Sequence, residues 1–161
     1  MRTLMIAVIM VIPGAPALAQ SDINFCDNPT LPLSDRMAEH IAHGAEGLSV
    51  GDRRVGRMTL RTSDGAEAGV MFFQSQMLRE PAAAQAHFVT GQNTFVTDRG
   101  TIFTLYAQES PDQDYGDADH RPHALELAVI GGTGLYADAR GTITVAPRAE
   151  RPSVTVSLTC P

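Results

Sequence analysis

Three side chains carry chemistry if the fold brings them together: Arg140, Tyr106 and Glu126. Arg140 opens a β-branched run, Thr142-Ile143-Thr144-Val145. A guanidinium stays charged in a protein, so it can hold a carboxylate or stabilise a developing oxyanion. It can equally pair with Asp138 or Glu126 and pin the loop before it, and both readings stay open. Tyr106 offers either a phenol to a cavity or plain packing. Glu126 interrupts Leu125 and Leu127, so it must face water, an arginine or a ligand. Its carboxyl serves as a general acid or base only where burial raises its pKa. Phe72, Gln74 and Gln76 share one face of an apolar run, where buried amides need partners. With Tyr136, these are the candidate ligand contacts.

Other chemistries lack their residues. The sequence has no G-x-S-x-G, no CxxC and no HExxH. All twelve basic residues are arginine, so Schiff-base chemistry and a P-loop lysine are excluded, and there is no tryptophan to stack a sugar. His40 and His43, at an i, i+3 spacing, lack a nearby third ligand. His120 and His123, with Asp117 or Asp119, offer a second weak metal reading against a simple exposed pair. The four aspartates between Ser110 and Arg121 do not follow the EF-hand order and lack its closing glutamate. No metal and no cofactor is expected.

The elements that must position these residues read mainly as strands. Met58 to Thr62 alternates, and Ser63-Asp64-Gly65 turns the chain. Gly69 to Leu78 is a long strand with Met71, Phe73, Ser75 and Met77 on its second face. Both faces are largely apolar, which implies a barrel interior on one side and a covering element or subunit on the other. Ala86 to Thr90, Thr94 to Thr97 and Thr101 to Gln108 follow, with Asn93 and Asp98-Arg99-Gly100 as turns. Ile102, Thr104, Tyr106 and Gln108 share a face of the last. His123 to Ile130, Thr142 to Val145 and Ser153 to Cys160 complete about eight short strands, a spacing that favours a closed antiparallel barrel. Before them, Leu33 to His43 reads as a short helix capped by Ser34. The expected domains are a signal peptide over 1–19, an extension over 20–55 and a barrel over 56–161.

The most specific motif is Ile130-Gly-Gly-Thr-Gly-Leu-Tyr-Ala-Asp-Ala-Arg-Gly141. A phosphate loop would continue from its glycines into a helix, whereas a strand pattern follows here. GGTG, then Tyr136, then Ala139-Arg140-Gly141 resembles the signature of dirigent proteins and allene oxide cyclases, which bacterial barrel proteins share. The resemblance implies an eight-stranded antiparallel barrel with an apolar cavity, commonly trimeric, and places the Arg140 equivalent in that cavity. It implies a cofactor-free isomerisation, cyclisation or steered coupling of an apolar organic substrate. The cavity glutamate of the cyclases finds no matching position here.

Arg2, an apolar core from Leu4 to Ile12 and Ala17-Leu18-Ala19 read as a secretory signal cleaved after Ala19. That core is too short to span a bilayer, so secretion or delivery to the periplasm is expected, without membrane attachment. Removing Arg2 leaves eleven basic residues against eighteen acidic ones, which disfavours nucleic acid and anionic membranes as partners. Cys26 and Cys160 fit a disulfide in an oxidising compartment, and the end-to-end bridge of plant dirigents agrees. Two free thiols or half a metal site are the alternatives. The expected function is binding of a small apolar molecule by a secreted barrel, as a cyclase or isomerase; the alternatives are a carrier and a structural barrel with a filled interior.

Overall fold

The computed structural model describes residues 23–44, 49–79, 87–110, 124–146 and 152–161. The expected signal peptide and the histidines at 120 and 123 lie outside these residues.

Eight strands close into one antiparallel barrel in sequence order. They are β1 (Thr30–Ile41), β2 (Arg53–Arg61), β3 (Glu67–Arg79), β4 (His87–Thr97), β5 (Gly100–Ser110), β6 (Leu125–Gly132), β7 (Arg140–Val145) and β8 (Ser153–Thr159). Closure rests on β1 pairing with β8, Leu31 opposite Val154. A closed barrel satisfies every strand edge and needs no second sheet.

Two expectations change. The segment read as a helix is β1, so the barrel starts at Thr30 rather than at residue 56. Its apolar spacing does not decide between helix and strand, and pairing along most of β2 decides for strand. A bulge lets it bend: the register shifts between Ser34 and Met37, and Asp35 sits at φ 48°. Arg61 holds that bulge from β2, reaching Asp35 Oδ2 at 2.6 Å and Ser34 Oγ at 3.0 Å. The second change is that the two short strands around Asn93 are one strand. Asn93 pairs with Phe73 on one side and Thr104 on the other, so its backbone is satisfied in the ladder. One strand gained and one merged leave the count at eight.

One end of the barrel is plugged. Phe25, in a single 3-10 turn (Phe25–Asp27), is fully buried, with Phe95 at 6.1 Å edge-on and Tyr136 at 5.7 Å between ring centroids. Leu60, Ile102, Val156 and Leu158 pack around them. The Cys26–Cys160 disulfide ties this turn to the end of β8 across 134 residues, with Cα atoms 5.7 Å apart. Among the described residues no helix is long and apolar enough to cross a membrane.

Candidate functional site

Alternation along each strand sends every second side chain inward, and the register stacks these residues in rows around the barrel. Near the plug the row is apolar: Met58 opposite Met71, then Phe95, Ile102. The next row is Gly56, Phe73, Asn93, Thr104. The row after it is His40, Arg54, Ser75, Gly91, Tyr106, one residue from each of β1 to β5. Beyond lie Met77, Val89 and Gln108. Inward polarity therefore rises from the plugged end to the row of Arg54 and Ser75, and falls again at Met77 and Val89.

Two largely buried polar side chains in these rows have few protein partners. Asn93 is 4% exposed, and its amide makes a single side-chain contact among the described residues, Nδ2 to Met71 Sδ at 3.8 Å. A thioether is a weak acceptor. Ser75 is 9% exposed, and no described residue bonds its hydroxyl. By contrast, Thr104 is satisfied by donating to the Asn93 carbonyl at 3.0 Å. Tyr106 lies flat over Gly91: a Cβ there would stand 2.5 Å from the phenol oxygen. Only glycine admits that ring.

The row is braced by a buried carboxylate. Asp52, fully buried, accepts from the His43 N–H at 2.7 Å, the Ser49 N–H at 3.0 Å and the Ser49 hydroxyl at 2.9 Å. His40 Nε2 lies 3.3 Å from its other face. The His43 N–H is the chief cause that holds the Asp52 pKa down to about 2, with Ser49 and His40 adding to it and burial opposing. Asp52 thus closes the β1–β2 connection and fixes the His40 ring.

The candidates from the sequence are dispersed. Tyr106 faces inward at the far end. Arg140 is exposed on the outer wall beside the plug, and its guanidinium donates to the Ala139 carbonyl at 2.7 Å. Glu126 is likewise exposed and outward, opposite Thr144. The structure therefore does not gather Arg140, Tyr106 and Glu126: strand parity puts two of them outside. Phe72, Gln74 and Gln76 also point outward and border shallow grooves of about 490 Å³ each. Gln74 accepts there from Arg53 at 3.4 Å. Phe72 is 47% exposed, so in the single chain the second face of β3 is not covered. Tyr136 is fully buried but belongs to the plug, its oxygen accepting from Phe25 N–H and Thr97 Oγ1, each at 3.4 Å. The motif builds that plug. Gly134 takes φ 60° where the chain reverses, which is why its position favours glycine.

No protein-family model matches the sequence, and no curated protein does. Solved structures do match the fold. Pyocyanin demethylase superposes with a TM-score of 0.64 at 23% identity, over 82% of this chain and 99% of its own. The Diels–Alderase AbmU from Streptomyces koyangensis gives 0.63 at 15% identity, over 84% of this chain and 64% of its own. AbnU, an exo-specific intermolecular Diels–Alderase, gives 0.60 at 12% identity, over 81% and 92%. This chain has the fold of those barrels. At such identities the likeness concerns architecture, and it does not single out the dirigent and allene oxide cyclase branch.

Arg54, Ser75, Asp52 and Asn93 were not among the sequence candidates, and His40 entered only as a weak metal ligand beside His43. The signal for three of them was present: Arg54 shares parity with Met58 and Leu60, Ser75 with Phe73 and Met77, and Asp52 with Arg54.

Proposed function

We propose that the protein binds a small, largely apolar organic molecule inside the barrel and acts on it as a cofactor-free cyclase, isomerase or steering protein of the dirigent and allene-oxide-cyclase type. The carrying observation is a pair of inward polar groups, the Asn93 amide, bonded to a thioether alone, and the Ser75 hydroxyl, which no described residue bonds, set in an apolar wall. A bound molecule with a carbonyl or hydroxyl would satisfy both, as few convergent polar groups do in apolar sites. Solved relatives of the same architecture include Diels–Alderases, which supports chemistry by shape and orientation. Export to the periplasm or beyond belongs to the same reading, supported by the disulfide. A homotrimer does too: Phe72, Val96, Phe103 and Leu105, outward on β3 to β5 and each more than a third exposed, are the surface it would cover.

A filled structural barrel is the second reading, favoured by the Tyr106 ring folded onto Gly91. Native mass spectrometry of the oxidised protein with phenolics and oxygenated fatty acids separates the two. Retained ligand that is lost in Asn93→Leu supports the interior site. A folded protein that retains none supports the filled barrel.

A further inference from the structure

Resting on the reading of an interior binding site, we propose that the far-end row receives the acidic oxygen of the ligand: the carboxylate, phenolate or enolate of an otherwise apolar compound. Three observations converge on this. Arg54 stands in the row itself, between His40 and Ser75 in register. Among the described inward residues the carboxylate is Asp52, and its oxygens are already engaged by His43, Ser49 and His40. Ser75, buried and without a protein partner for its hydroxyl, adjoins Arg54 and can donate to an anion.

The direction of the ligand follows from the rows. An acidic oxygen at Arg54 and Ser75 gains charge-assisted hydrogen bonds, which are roughly twice as strong as neutral ones. The rest of the molecule then runs past Asn93 toward Met71, Phe95 and Ile102, whose side chains are apolar. His40, Arg54 and Tyr106 take part in further interactions, so the ligand oxygen joins a bonded network rather than meeting a bare cation. An ion in such a network keeps its neighbours in place, which is what selects an acid over a neutral molecule of equal shape.

The test uses two probes of nearly equal shape, 2-naphthoate, ionised at neutral pH, and neutral 2-naphthalenemethanol. The chain has no tryptophan, so naphthalene fluorescence reports binding with little protein background. The wild-type oxidised protein is expected to bind the naphthoate at least about tenfold more tightly than the alcohol. Arg54→Gln is expected to erase that preference while leaving the alcohol's affinity within about twofold. Equal binding of both probes by the wild type would overturn the acid-head assignment and leave the interior site standing. Binding of neither probe would overturn both. A folded Arg54→Gln that keeps the preference would also overturn it. The wild-type comparison needs no variant, so the outcome does not hang on whether the substitution folds.

Discussion

The residue scale separates two arginines that composition treats alike. Arg140 bonds its neighbour's carbonyl on the outer wall, whereas Arg54 stands in an inward row. Arg140→Ala is therefore expected to leave ligand affinity within about twofold and to cost less than about 1 kcal/mol, as for an exposed site; titration and thermal melts of the variant check both. Asp52 is the opposite case. Its carboxylate takes three hydrogen bonds while fully buried, so Asp52→Asn should destabilise the barrel by about 2 kcal/mol in urea unfolding. The pH dependence has a definite sign. The folded pKa of about 2 lies below the ordinary 3.8, so Asp52's contribution is complete above pH 3.8 and is lost as pH falls through 2. Acid unfolding of the wild type should show that loss, and Asp52→Asn should flatten the profile there. A profile equally steep in both would assign the acid sensitivity to other carboxylates.

At the element scale, the register turns five strands into one row, and glycine on β4 is what lets an aromatic from β5 occupy it. Gly91→Ala should crowd both the Tyr106 phenol and the Gln74 carbonyl, each 2.5 Å from the added Cβ. Overpacking of that kind costs roughly 1 to 3 kcal/mol. The pairing of the variant with Tyr106→Ala should recover part of the loss, because the ring would be gone while the carbonyl remains. Full additivity of the two in a double-mutant cycle would show that the ring does not rest on Gly91. The same scale explains what the sequence made legible. The hydrophobic alternation of β5 gave its inward face correctly, since Ile102, Thr104 and Tyr106 do share one. Parity alone does not say which face is inside when both are apolar, and Phe72, Gln74 and Gln76 were therefore assigned to the wrong side of β3. β1 was illegible for another reason: its bulge at Asp35 breaks the two-residue period, and the remaining apolar residues then fit a helix as well as a strand. The motif was legible as a marker of fold but not of site, because its conserved-looking geometry serves the plug around Tyr136.

For the whole molecule, the chain closes on itself twice, once by the β1–β8 pairing and once by the disulfide. Both closures involve the N-terminal segment, the pairing at the start of β8 and the disulfide just beyond its end. The β1–β8 ladder is short, three residue pairs from Thr30 opposite Thr155 to Pro32 opposite Ser153, whereas β2 and β3 align over nine. The weakest seam of the barrel is thus the one the disulfide spans. A cross-link over 134 residues restricts the unfolded chain by roughly 5 kcal/mol in the loop-entropy model, with native strain subtracting from it. Loss of the bridge in Cys26→Ser/Cys160→Ser should therefore lower unfolding free energy by about 3 to 5 kcal/mol. The damage should also be uneven. Amide exchange is expected to rise first in Phe25–Asp27, in the first residues of β1 and along β8, where few hydrogen bonds oppose opening, while β3 to β5 stay protected. Because the far-end row draws on β1 through β5 and not on β8, ligand binding should survive in whatever fraction stays folded. Equal loss of protection over all eight strands would mean that the barrel opens as one unit and that the seam has no independent weakness.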